Sequence, residues 1–377
     1  MNLLENEAKK MLSHSGIRVP KGYLVKDGAE LEKALSHMMF PLMMKAQVPV
    51  GGRGKAGAVI KIMDRQQAID GLSNLKGMNV RGFKVDSVLI EEFAPHDEEM
   101  YLAISIDRAA GMPNLICGKK GGMEVEVIGH GHIKQYPIDP LEGPDDGLTE
   151  KVMLDLGLTN AHLEMLSALI SKLWSFYSNY DCELVEVNPL VLQHDGFVCL
   201  DAKVVIDDDS LFRHPELSYL KGRDKSPFEI ECGKRDLTGV ELAGEIGVIA
   251  NGAGLTMAVL DELERIGLKG AAFIDLGGTD DPARIADAIS MMRGGRWVPN
   301  IKGILICVFG GITRCEVVAD GIISSLPNGP SNIPMIVRLR GVNELQGRSK
   351  LRGSGLDAYL DLEEACLALR SVIRGGT

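Results

Sequence analysis

Residues 183–203 read ELVEVNPLVLQHDGFVCLDAK, two alternating apolar runs on either side of Asp195-Gly196. Asp-Gly is a favoured two-residue turn, so the spacing predicts a β-hairpin. With Asp195 and Gly196 as the turn, His194 faces Phe197, Asn188 faces Lys203 and Asp201 faces Leu190. Side chains alternate along a strand, which puts Glu186, Asn188, Asp201 and Lys203 on one face. Val185, Val187 and Leu200 fall on the other face and are expected core. The polar face offers two carboxylates, an amide and an ammonium. Hard oxygens of this kind suit Mg²⁺, which takes one or two protein ligands and completes its shell with phosphate oxygens and water. The same pattern describes a solvated hairpin face with a Lys–Asp pair, and the stretch alone does not decide between them. Pro189 has no N–H to donate and is expected on an edge strand.

Upstream, residues 2–15 read as an amphipathic helix stopped by Gly16. Residues 41–48, PLMMKAQV, read as a buried strand in which Lys45 is the odd residue. A lysine there either snorkels to the surface or pairs with an anion. Gly51-Gly52-Arg53-Gly54-Lys55-Ala56-Gly57 follows. Its glycines let backbone N–H groups approach a ligand, and Arg53 and Lys55 add positive charge, a chemistry suited to phosphate. A mobile surface turn has the same composition, and the Walker A spacing is absent. Residues 85–91, VDSVLIE, read as a strand ending in acidic residues, with Ala94 and Glu99 just beyond. Backbone groups there could read a base while a carboxylate holds ribose hydroxyls; a charged strand end is the plainer alternative. A basic glycine turn at residues 118–122 is expected to lead into a strand carrying Glu124 and Glu126. Residues 137–146 read as a connector and 162–177 as a helix.

Downstream, residues 211–231 are polar and irregular, which sets the expected domains at 1–230 and 231–377. Strands at 246–250, 271–276, 303–309 and 333–339 then alternate with helices, the second of them opening at Pro282 behind an Asp281 cap. This alternation predicts a parallel sheet with helices on both faces. Three glycine loops leave its strand ends: Asn251-Gly252-Ala253-Gly254, residues 277–281, and Gly310-Gly311-Ile312-Thr313. Ligands bind at that edge of such sheets, and helix N-termini attract anions. None completes G-x-G-x-x-G with an acidic ribose partner, which disfavours a dinucleotide fold.

With 45% hydrophobic and 25% charged residues over 377 positions, the composition is that of a soluble globular chain of two or three domains. A formal charge of −11 disfavours a general nucleic-acid surface. No apolar run suits a membrane span and the N-terminus lacks a signal core, so a cytoplasmic location is expected. Seven scattered cysteines without a C-x-x-C pair fit a reducing compartment, not a disulfide framework or zinc site.

The motifs MNLLENEAK, KAQVPVGGRGKAG, EVNPLV, CLDAK, NGAGL and FGGITRCE identify a family. From residue 1 to about 376 the chain resembles β subunits of succinyl-CoA synthetase, the ADP- or GDP-forming succinate–CoA ligase. The resemblance implies an α/β fold: an N-terminal ATP-grasp nucleotide-binding domain followed by a flavodoxin-like CoA-ligase domain with a parallel sheet. It implies that Lys45 and Gly52-Arg53-Gly54 bind nucleotide phosphates, and that Glu91, the backbone at Ala94, and Glu99 bind the nucleoside. Asn188 and Asp201 would hold Mg²⁺, and Glu186 would be the catalytic carboxylate facing a phosphohistidine. Asn251, Gly311, Ile312 and Thr313 would bind the carboxylic acid. The implied nucleotide is ATP, with GTP possible; Pro20 matches the residue usual in ATP-using relatives. The phosphorylated histidine and most of the CoA site belong to an α subunit, in a heterodimer or heterotetramer, and none of the eight histidines here matches that loop.

Some positions depart from the pattern. Pro49-Val50 stands where His-Ala is usual, Lys120 where an acidic residue is usual, and Thr313 where Val is usual. A hydroxyl at residue 313 would suit a more polar acid such as malate, citrate or a sulfonated acid. Alternatively it is a near-isostere of Val whose hydroxyl bonds the backbone of its own helix turn, with succinate as substrate. A nucleotide-sensing subunit without chemistry is the rival from another class, and the retention of Lys45, Glu186, Asn188 and Asp201 disfavours it.

Overall fold

The computed structural model describes residues 1–122, 133–223, 225–293, 295–326 and 333–375. The expected strand with Glu124 and Glu126 lies outside the described residues. The chain divides into two compact units, Met1–Asp224 and Lys225–Thr377. The division falls inside the irregular stretch, ahead of a helix that starts at Pro227.

The first unit opens with α1 (Glu5–His14), β1 (Gly22–Val25), α2 (Gly28–Leu35), β2 (Leu42–Ala46), β3 (Val59–Ile62) and α3 (Arg65–Leu75). A short pair, β4 (Asn79–Val80) and β5 (Phe83–Lys84), precedes β6 (Val88–Glu92). Strands β1-β6-β2-β3 form an antiparallel sheet. Helices α2 and α3 start where Asp27 and Asp64 accept backbone N–H groups of Glu30 and Gln67. Their apolar faces, with Leu31 and Leu72, pack on Leu42, Met44 and Ile90 of this sheet.

A second sheet follows, from β7 (Met100–Asp107), β8 (Met112–Gly118) and β9 (Ile133–Pro137), then α4 (Asp146–Asp155), α5 (Leu163–Asn179), β10 (Cys182–Gln193), β11 (Gly196–Cys199) and β12 (Ala202–Ile206). Its order is β11-β10-β7-β8-β9, with β12 also on β10. Helix α1 belongs to this core, where Ala8 and Leu12 join Leu166 and Phe176 of α5. Burying Leu12, Leu166 and Phe176 contributes about 1.5–3 kcal/mol each. Helix α4 and strands β8 and β9 were not anticipated from the sequence. Asp145 caps α4 through the Leu148 N–H at 2.6 Å.

The hairpin forms with a different register. Gln193 pairs with Gly196, so His194 and Asp195 make the turn. Gly196 has φ +128°, so the glycine serves the position after the turn, where a positive φ is needed. Asp195 is drawn out to Arg18 at 2.8 Å. Glu186 therefore faces Lys203, and Leu190 faces Cys199 instead of Asp201. The slip is two residues, which preserves side-chain parity, so Glu186, Asn188, Asp201 and Lys203 still share a face. Val185 and Val187 are core as expected, whereas Leu200 is half-buried. Pro189 is not on an edge: β10 is flanked by β7 on one side and by β11 and β12 on the other. It sits where the β10–β7 register shifts, so its missing N–H interrupts no regular ladder.

The second unit holds α6 (Pro227–Lys234), β13 (Thr238–Glu241), β14 (Ile246–Ala250), α7 (Ala253–Arg265), β15 (Gly270–Asp275), α8 (Pro282–Arg293), β16 (Gly303–Gly310), α9 (Cys315–Ser324), β17 (Met335–Gly341), α10 (Glu344–Gly353), β18 (Ala358–Tyr359) and α11 (Leu362–Arg374). The sheet order is β13-β15-β14-β16-β17-β18, parallel except for the edge strand β13. Apolar clusters cover both faces, one with α8 and α9, the other with α7 and α11. The antiparallel edge strand and α10 were not anticipated. All seven cysteines are buried and free. Among the described residues, no helix is long and apolar enough to cross a membrane.

Candidate functional site

In the first unit a cavity of about 810 Å³ opens between the two sheets. Lys45 enters it from β2 and Glu91 from β6; Gly52, Arg53 and Gly54 come from the glycine loop, and Ala94 and Glu99 from the segment after β6. Glu186, Asn188 and Asp201 line it from β10 and the turn before β12. Every nucleotide-side and metal-side residue named from the sequence thus borders one space.

The loop is not a solvated turn. Gly52 takes φ +78°, and Arg53 and Gly52 carbonyls receive the Ala58 and Ala56 N–H groups. This folds the loop back so that Arg53 is only 9% exposed. The buried cations meet an intact set of counter-charges. Lys45 Nζ lies 3.0 Å from Glu5 Oε1, 2.5 Å from Glu91 Oε1 and 2.6 Å from the Leu200 carbonyl. Lys9 Nζ uses the same three residues, at 2.8 Å, 2.5 Å and 2.6 Å. Arg53 reaches Glu5 Oε2 at 2.5 Å and both Asp201 oxygens at 2.7 Å. Three cations and three carboxylates therefore neutralise one another inside the wall.

Glu5 and Lys9 were missed from the sequence, although a signal was there. Glu5, Ala8, Lys9 and Leu12 are the buried residues of α1, at helical spacing. Two charges on a core-facing stripe need partners. Burial opposes ionisation of Glu5, but Arg53, Lys45 and Lys9 outweigh it and hold the carboxyl well below its usual range. Burial also works against the Lys45 ammonium, yet Glu5, Glu91 and Asp201 raise its pKa. For Asp201, burial and the Glu5 charge prevail over Arg53, Lys45 and Lys9 and push the carboxyl up. A negative charge at Asp201 is thus costly until a further cation arrives.

Asn188 and Asp201 sit side by side, the Asn188 N–H donating to the Asp201 carbonyl at 3.3 Å. Asn188 Oδ1 accepts the Gly122 N–H at 2.7 Å. Among the described residues no group of three or more His, Cys, Asp or Glu is placed to cage a metal. One carboxylate and one amide fit Mg²⁺ only if phosphate and water supply the other oxygens. Near Glu99, His96 links the Ala94 carbonyl at 2.8 Å to the Glu99 carboxylate at 3.0 Å. His96 was not picked out from the sequence.

In the second unit Asn251 leaves β14, and Gly311, Ile312 and Thr313 leave the neighbouring β16, both at the carboxyl edge. The Asn251 side chain is doubly bonded to the Phe309 backbone, at 3.0 and 2.9 Å. Gly311 and Ile312 are exposed, whereas Thr313 is 1% exposed. The Thr313 hydroxyl bonds the neighbouring loop and not its own helix turn: it accepts from the Thr279 N–H at 3.1 Å and donates to the Gly277 carbonyl at 3.5 Å. Arg314 forks onto Asp280 beside it. Asp275 Oδ1 accepts N–H groups of Gly252 and Gly277 at 2.6 and 2.8 Å. The three glycine loops are thus cross-braced into one platform. Helices α7 and α9 start there without a side-chain cap, leaving ends suited to an anion.

Comparison with known proteins agrees with this division. Residues 2–192 match the ATP-grasp domain family and residues 249–372 the CoA-ligase family. The chain is 37% identical to the ADP-forming succinate–CoA ligase β subunit of Desulfurococcus amylolyticus, over the whole of both chains. It is 34% identical to the GDP-forming β subunit of Thermus thermophilus, again over the whole of both. Among solved structures, ATP citrate lyase from Methanothrix soehngenii superposes with a TM-score of 0.74 at 22% identity, over 98% of this chain and 99% of that one. The chain belongs to the succinate–CoA ligase β-subunit family, an ATP-grasp domain followed by a CoA-ligase domain.

Proposed function

We propose that this chain is the nucleotide-binding subunit of an ADP-forming carboxylic acid–CoA ligase. The cavity that gathers Lys45, Arg53, Glu186, Asn188 and Asp201 carries the reading. Lys45, Arg53 and the loop glycines take the phosphates, and Glu91, the Ala94 backbone and Glu99 take the nucleoside. Asn188 and Asp201 would hold Mg²⁺, which supplies neutralisation of phosphate charge. Glu186 faces the histidine of an α partner that receives the phosphoryl group. That group passes to the acid, and CoA then displaces it from the acyl phosphate. Asn251 and residues 311–313 hold the acid at the platform of the second unit. The α partner supplies the histidine and most of the CoA site, and the assembly is cytoplasmic.

The purified chain is expected to bind Mg–ATP and form no acyl-CoA, whereas the chain with its α partner turns over. Pro20 borders the cavity, and ATP is expected to outperform GTP in kcat/KM with the complete enzyme. Turnover by the chain alone, or no nucleotide binding by it, would contradict the assignment.

Succinate is the favoured acid, because the Thr313 hydroxyl is already engaged by backbone. Thr313→Val is expected to leave the order of preference among succinate, malate and sulfonated acids unchanged. It strands the Thr279 N–H and so costs about 1–3 kcal/mol of stability. An acid panel and thermal melts check both parts; a selective loss of malate or sulfonate use would show that the hydroxyl does reach the substrate.

A further inference from the structure

Lys9 and Lys45 have the same acceptors: Glu5 Oε1, the Glu91 carboxylate and the Leu200 carbonyl. An ammonium has three N–H donors, so Lys45 has none left for a phosphate. Arg53 likewise spends its two terminal nitrogens on Glu5 and Asp201. Lys45 and the terminal nitrogens of Arg53 can therefore take a phosphate only by giving up carboxylate partners. Lys9 does not border the cavity, while Glu5 does. We propose that Glu5 and Lys9 are positioning residues for the phosphate site: Glu5 occupies Lys45 and Arg53 until phosphate displaces it, and Lys9 retains the released Glu5 and Glu91 carboxylates.

This inference rests on the nucleotide reading of the cavity. In that exchange Lys45 and Arg53 turn to the incoming phosphate oxygens, and no covalent bond changes. Without Lys9, the two buried carboxylates hold Lys45 back, because a buried charge left unpaired is costly. Without the Glu5 charge, the cations are less restrained and the site carries one surplus positive charge. The two removals therefore act in opposite directions on anion affinity. General damage to the fold would move both downward.

The test uses the full chain and inorganic pyrophosphate, titrated calorimetrically, with Mg–ADP in parallel and adenosine as the uncharged control. Glu5→Gln is expected to bind pyrophosphate about tenfold more tightly than wild type, and Lys9→Met about tenfold more weakly. Lys9→Arg, which keeps the charge, is expected to stay within about threefold. Adenosine affinity is expected to be unchanged in Glu5→Gln and Lys9→Arg; Lys9→Met is not held to that control, because Lys9 also pairs with Glu91 on the nucleoside side. Shifts in the same direction, or no shift, overturn the proposal. Should a single variant fail to fold, the Glu5→Gln/Lys9→Met pair restores neutrality and is expected to bind within about threefold of wild type; a tenfold departure overturns it. Wild-type chain that binds neither pyrophosphate nor Mg–ADP would instead sink the nucleotide reading itself.

Discussion

Asp201→Asn is expected to lower phosphorylation of the partner's histidine by about a hundredfold or more, with the fold retained. The substitution removes the only carboxylate of the proposed Mg²⁺ pair and leaves a neutral amide. The amide oxygen can still accept from Arg53 and from the Ala202 N–H, which Asp201 Oδ1 meets at 2.7 Å. Burial and Glu5 disfavour a charge at Asp201 while Arg53, Lys45 and Lys9 favour it, so the stability lost with that charge is expected to be smaller than at Lys45. The expected signature is a melting temperature near wild type, a large fall in phosphorylation rate, and partial recovery at raised Mg²⁺. A wild-type rate would remove Asp201 from the metal site.

Lys45→Met has the larger expected effect on stability, a loss of about 3–5 kcal/mol. Lys45 is 6% exposed, and two buried carboxylates, Glu5 and Glu91, depend on it. Methionine fills a similar volume but returns none of the charge. Lys9 then faces both carboxylates alone, apart from the Arg53 contact with Glu5. Urea unfolding of the variant reads the loss directly, and thermal melts should fall by roughly 10 °C. Nucleotide binding is expected to fall with it, because the phosphates lose their buried ammonium. A loss below about 1 kcal/mol, typical of an exposed pair, would show that the network is not tight.

What the sequence disclosed depended on the kind of signal. The hairpin turn was placed one residue late, yet its polar face was read correctly, because parity survives a two-residue slip. The βα alternation after residue 245 follows from period and glycine placement, and the parallel sheet appears accordingly. The edge strand Thr238–Glu241 was lost because its short run, TGVE, carries no alternation strong enough to stand out. Helix α4 hid beside a stretch rich in Pro, Gly and Asp, where composition argued for a connector. Lys45 was legible as a cation out of place on an apolar strand, and Arg53 as a charge in a glycine loop suited to phosphate. Their counter-ions on α1 were not, since an amphipathic pattern averages over the two charged residues on its buried stripe. The Thr313 hydroxyl could be weighed only once its partners in the 277–279 loop were in view.

The charge cluster also sets an order on biosynthesis. Lys9 takes its backbone partner, Leu200, from 191 residues further along the chain. At typical elongation rates of about 5–20 residues per second, that partner emerges roughly 10–40 s after Lys9. Until then the charged partners of α1 have been made but the carbonyl that completes the Lys9 and Lys45 ammonium shells has not, so α1 cannot finish its place in the cavity wall. The cavity of the first unit is therefore among its last parts to close, and a ligand bound there can assist folding only after residue 200 has left the ribosome.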